Sequence, residues 1–144
     1  MNKIKKPELL APAGNLEKLR TALFYGADAV YIGLKNYSLR ARESEFEIDD
    51  IKKAVMITHN LKKKIYIAVN IFPQNNELNQ IAKELKNIKK LNVDALIISD
   101  PALLKISEKI CPKINLHLST QANINNWMAV DFWAKNNIKR INLA

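Results

Sequence analysis

Apolar residues in this chain come in short runs separated by stretches with a three-and-four spacing. Leu9-Leu10-Ala11, Ala29-Val30-Tyr31-Ile32, Ile65 to Val69 and Ala95 to Ile98 are nearly continuous. Ile114 to Ser119 and Ile138 to Leu143 are partly alternating. Runs of this length and continuity predict strands covered on both faces. The expected strands lie near residues 8–12, 28–33, 64–70, 94–99, 114–119 and 138–143. Between them, Leu16, Leu19 and Leu23 form a helical stripe, as do Ile51, Val55 and Thr58, and Leu78, Ile81, Leu85 and Ile88. Leu103, Leu104 and Ile110, then Trp127, Val130 and Trp133, give the buried sides of two further helices.

Punctuation agrees with the periods. Asn15, Asp49 or Asp50, Asn75 or Asn76, Asp100 and Asn123 or Asn125 are the expected N-caps, with Pro101 at the first helical position after Asp100. Gly26, Asn60, Asn92, Pro112 and Asn136-Asn137 are the expected stops. Two stops lead into the same pattern: Gly26-Ala27-Asp28-Ala29-Val30 and Asn92-Val93-Asp94-Ala95-Leu96.

Six strands alternating with five helices predict an α/β fold with a parallel sheet and right-handed crossovers. The alternatives are a doubly wound parallel sheet and a TIM-like (β/α)8 barrel, which needs eight units. The sequence stops on its sixth apolar run, so the expectation is an incomplete barrel. Residues 1–6 form a polar lead-in, and residues 7–144 the N-terminal portion of the barrel, cut before the last two units. Open edges on strands one and six predict self-association, and the inner layers are expected to be partly open to water.

Composition narrows the class. The chain has 144 residues, 48% hydrophobic and 26% charged, as in ordinary soluble domains. No apolar run reaches the ~20 residues of a membrane span, and no secretory signal pattern opens the chain. A cytoplasmic protein is expected. A single cysteine, Cys111, excludes an internal disulfide and a multi-cysteine metal site built by this chain alone. The net charge of +9 is compatible with a polyanionic partner such as RNA. The lysines, however, are scattered over helix surfaces and strand starts without interleaved aromatics, as on a solvated surface.

Both folds place ligands beyond the C-terminal ends of the strands. That rule collects Pro12 to Asn15, Gly33, Asn70, Ser99, Asp100 and Ser119 to Asn123, with Arg40 and Arg42 in the long loop after strand two. These groups suit hydrogen bonding to a polar substrate. On strand five, His117 and Ser119 alternate with Leu116 and Leu118 and are expected to face the barrel interior. They are the candidate catalytic residues; Arg40, Asn70, Gln121 and Asn123 are the candidate substrate-binding residues. Asn15, Asp100 and Asn123 are explained first as helix caps, ahead of a functional role. His59 reads as a surface residue and Cys111 as inert packing. No GxGxxG, Walker or HExxH pattern is present.

ELLAPAGNLEKL, YGADAVYIG, SLRA, VNIFPQNNEL, VDALIISDPALL and HLSTQAN together resemble the N-terminal half of peptidase family U32, the collagenase-like proteases. The resemblance runs from Pro7 to Ala144 and implies a TIM-like catalytic domain. It implies either peptidase activity or hydroxylation, including prephenate-dependent hydroxylation of tRNA uridine. It also implies an iron–sulfur cluster in full-length relatives, on cysteines beyond the region matched here, and none in this chain. The leading expectation is part of a tRNA uridine hydroxylation protein, with tRNA and a prephenate-like metabolite as partners of the full-length protein. Arg40 would offer paired donors to such a dicarboxylate. A collagenase-like peptidase and an inactive truncated or split-gene scaffold are the alternatives.

Overall fold

A computed structural model describes residues 6–39 and 46–144. Six strands are present: β1 (Leu10–Pro12), β2 (Ala29–Gly33), β3 (Lys64–Val69), β4 (Ala95–Ile98), β5 (Asn115–Leu118) and β6 (Arg140–Ile141). Five helices connect them: α1 (Leu16–Phe24), α2 (Ile48–Asn60), α3 (Leu78–Ile88), α4 (Pro101–Ile110) and α5 (Trp127–Lys135). All pairings are parallel and the order is β1-β2-β3-β4-β5-β6. A doubly wound sheet would place β1 inside the order; here it is an edge, so the sheet is a barrel arc.

The arc is strongly curled. Flat, its edge strands would lie about 24 Å apart. Yet Glu8, just before β1, reaches Arg140 on β6 with an Oε1–Nη1 distance of 2.6 Å. The convex face carries Val30, Ile32, Ile65, Ile67, Leu96, Ile98, Leu116 and Leu118, all buried in one core with the helices. The concave face carries a smaller cluster of Ala29, Tyr66, Ala68, Ala95 and Ile97, with Leu10 and Tyr31 against it. The lower interior is therefore filled, where open inner layers were expected. Tyr66 fills it, its hydroxyl donating to Glu8 at 3.0 Å and its ring lying 5.4 Å below the Arg140 guanidinium.

The repeated Asp-Ala pattern has a structural cause. Asp28 and Leu9 exchange bonds: Asp28 N–H donates to the Leu9 carbonyl at 2.8 Å, and Leu9 N–H to Asp28 Oδ2 at 3.0 Å. Asp94 and Ile65 do the same at 3.1 and 2.8 Å. Each aspartate thus clips the start of its strand to the neighbour. Three helix-to-strand corners share a second device. Gly26, Lys62 and Asn137 have φ of 94°, 57° and 62°. Around them Ala27, Lys63 and Ile138 donate five residues back, to Ala22, Thr58 and Trp133. These are Schellman closures.

Asn15 and Asp100 cap as expected, accepting from Lys18 and Ala102. Three other expected caps are corrected. Glu47 precedes α2, placing Asp49 and Asp50 inside the first turn, where they still favour the helix dipole. Glu77 precedes α3, its carboxylate accepting from Gln74 N–H, so Asn75 and Asn76 lie in the preceding turn. Asn126 caps α5 through Ala129 N–H, in place of Asn123 or Asn125. That phase exposes Trp127 at 73% and buries only Trp133 of the expected stripe. His59 is half-buried and bonded to Asp94 at 2.9 Å, not a free surface residue.

Candidate functional site

The C-terminal ends of the strands enclose a pocket of about 350 Å³. Its floor is Leu10, Tyr31, Ala68 and Ile97; its rim is Gly14, Gly33, Asn70, Ser119, Thr120, Gln121 and Asn142. Asn70, one residue past β3, organises this rim. Its Oδ1 accepts from Leu39 N–H at 3.2 Å and its Nδ2 donates to Ser119 Oγ at 3.3 Å. Ser99 donates to the Asn70 carbonyl at 3.2 Å. Ser119 Oγ also accepts from Gln121 N–H at 3.3 Å, which starts the 3-10 turn Thr120–Ala122. Asn142 donates its Nδ2 to the Leu118 carbonyl at 3.0 Å. Its Oδ1 is left without a hydrogen bond among the described residues. The described lining is neutral and rich in amides and hydroxyls.

His117 does face the concave side, but it sits one layer below the pocket and does not line it. Its ring meets Tyr66 edge-on at 4.8 Å between centroids. It is buried, and Nδ1 has no partner. Burial, with Arg140 nearby, pushes its pKa down to about 4, so the ring is neutral near pH 7. Burial first, then the Glu8 carboxylate, pushes Tyr66 up to about 12. Glu8 is held below the usual carboxylate range by its hydrogen bond to Arg140.

Asn70, Ser119 and Gln121 thus meet at one pocket, whereas His117 lies beneath it. Asn123 does not line the pocket. Its φ of 54° ends the 3-10 turn, with its N–H donating to the Thr120 carbonyl at 3.0 Å. Arg40 and Arg42 lie outside the described residues. Tyr31 and Asn142 were not singled out from the sequence. Their signal was the alternation in their strands, which puts Tyr31 with Gly33, and Arg140 with Asn142, on the inner face.

Residues 14–144 match the model of Peptidase family U32. The chain belongs to this family. It is 43% identical over 140 residues to tRNA hydroxylation protein P1 of Bacillus subtilis (strain 168), covering 97% of this chain and 33% of that protein. It is 44% identical over 139 residues to tRNA hydroxylation protein P of Escherichia coli (strain K12), covering 96% of this chain and 31% of that protein. The U32 chain described here therefore spans about a third of the length of these relatives, less than the half the resemblance implied. The solved structure of a U32 peptidase superposes with a TM-score of 0.76 at 10% identity, over 99% of this chain and 62% of that one. At that identity it supports the TIM-like fold alone.

An iron–sulfur cluster takes about four thiolates. The U32 chain supplies one cysteine. Cys111 is buried at the end of α4, its thiol donating to the Leu85 carbonyl at 3.4 Å, and burial pushes its pKa up. Such a thiol is a poor ligand, and these residues do not fit a cluster.

Proposed function

We propose that this chain is the pocket-bearing first part of a tRNA uridine hydroxylation protein working in the cytoplasm. The observation that carries this reading is the 43% identity along 97% of the chain to a relative named for tRNA hydroxylation. The pocket supports it, because its amides and hydroxyls suit a small polar metabolite such as the dicarboxylate prephenate. Arg40, next in sequence to the lining residue Leu39, supplies the cation that a carboxylate calls for. Any iron–sulfur cluster belongs to the part of the relatives that follows the matched region.

The peptidase alternative needs a nucleophile paired with a base. Ser119 Oγ is engaged by Asn70 and Gln121, and His117 Nδ1 has no partner, so these two do not form that pair. The test is to fuse this chain to the remainder of the Escherichia coli relative in a strain lacking that protein. Hydroxylated uridine is then measured in tRNA digests by mass spectrometry. Restored modification, lost again with Asn70→Leu and weakened with Arg40→Gln, is expected. A folded fusion that restores nothing would reject the reading and favour the inactive scaffold.

A further inference from the structure

The parallel arc gathers every segment leading into a strand at one end, opposite the pocket. In sequence the lysines of these segments are scattered; in the fold they share a face. The described residues of those segments, counted through Lys64 at the start of β3, carry eight lysines and three carboxylates, Glu8, Asp28 and Asp94. Each carboxylate is already engaged within the fold: Glu8 by Arg140, Asp28 by Lys63, Asp94 by His59 and Ile65 N–H. Lys89, Lys90, Lys113 and Lys139 are exposed and make no ion pair among the described residues. At the pocket end, the described loops hold one lysine, Lys35, which pairs with Glu47, and add the carboxylates Glu77 and Asp100.

Helix dipoles account for lysines in the last turns, such as Lys86 and Lys135. They do not account for Lys113 and Lys139, which follow their helices and flank a groove of about 280 Å³. Asn115 and Asn137 line that groove as well, and Glu108, its one carboxylate, is engaged by Lys105 at 3.1 Å. Lysines beside neutral amides in a concave strip are a setting for phosphate oxygens.

We propose that the lysine-rich face at the N-terminal ends of the strands binds the phosphate backbone of RNA, on the side opposite the pocket. It holds the body of the nucleic acid and reads no base. The choice of RNA rests on the reading of the partner as tRNA; the location rests on the charge distribution alone.

The test is fluorescence anisotropy of the 144-residue chain with an unmodified tRNA transcript across a salt series. One variant carries Lys89→Gln, Lys90→Gln, Lys113→Gln and Lys139→Gln. The control carries Lys18→Gln, Arg20→Gln, Lys52→Gln and Lys83→Gln, on exposed helix positions. Circular dichroism checks that both are folded. The first variant is expected to bind about tenfold or more weaker near 0.1 M salt, with the log–log salt slope reduced by about three. The control is expected to stay near the unaltered chain. Equal losses in both variants, an unchanged slope, or no tRNA binding by the unaltered chain would overturn the proposal. So would binding to vesicles rich in phosphatidylserine while tRNA binding is insensitive to the four lysines. Restored hydroxylation with an unchanged slope removes this surface and leaves the functional reading standing; a reduced slope without restored hydroxylation does the reverse.

Discussion

Glu8 and Arg140 lie 132 residues apart in sequence and 2.6 Å apart in space. They join the lead-in of the first strand to the last strand across the concave face. Arg140→Gln is expected to lower stability by about 1–2 kcal/mol, since it leaves a half-buried carboxylate with only the Tyr66 hydroxyl and a distant Lys64. Urea denaturation measures this. Glu8 has a lowered folded pKa, so its contribution is present above the unfolded value near 4.5 and is lost as pH falls through the folded value. Glu8→Gln should flatten stability in that acid window.

His117 acts at higher pH. Its folded pKa is about 4 against an ordinary value of 6.5. Above pH 6.5 the ring is neutral in both states. Below it, the unfolded chain takes up a proton that the folded chain resists, so stability falls from about pH 6.5 down to about 4. The full loss is on the order of 3 kcal/mol. His117→Phe keeps a ring against Tyr66 and removes the orphaned Nδ1. Thermal melts across this range should show little change at pH 7 and a weaker acid dependence.

Lys62 holds a left-handed conformation at a corner where its counterparts are Gly26 and Asn137. A lysine there carries strain that asparagine bears more easily. Lys62→Asn is expected to raise stability by about 0.5 kcal/mol and Lys62→Val to lower it by about 1 kcal/mol. Equal denaturation midpoints for all three would contradict the strain.

The most exposed large apolar side chains lie at the two flanks of the arc, with Leu39, Met56, Leu61 and Phe72 exposed between them. Phe24 and Tyr25 are 84% and 79% exposed at the end of α1; Met128 and Phe132 are 66% and 58% exposed on α5. Helices α3 and α4, in the middle, show none. With β1 and β6 as open edges, concentration-dependent self-association is expected. Sedimentation velocity of the chain and of a Met128→Gln, Phe132→Gln variant checks it. A monomer at every concentration would count against it.

Strands β2 to β5 were legible because they are mostly buried apolar runs, and burial on both faces leaves little ambiguity of type; the edge strands β1 and β6 are only partly buried and shorter than expected. Their order followed from alternation and from the count of units. Caps were read less well. Glu47 and Glu77 precede their helices without a side-chain cap bond, so nearby aspartates and asparagines drew the assignment to themselves. Within the site, Asn70 and Ser119 were found because strand ends collect ligand groups. The Glu8–Tyr66–Arg140 cluster was missed because nothing local marks a contact between the first strand and the last. The basic face was invisible for the same reason: charge adds up in space, and neighbouring lysines here come from different units.

Each strand of the arc pairs only with strands adjacent in sequence, and each observed corner is closed by residues of its own unit. Such a sheet has short-range connectivity, which favours rapid assembly. It also permits assembly in the order of synthesis. As the polypeptide leaves the ribosome, each new strand can dock on the one before it, with its aspartate clip or turn already in hand. The Glu8–Arg140 pair is the exception. It cannot form until Arg140 has emerged, so it reports on closure of the arc, and a pulse of hydrogen exchange during translation would find that end of the sheet protected last.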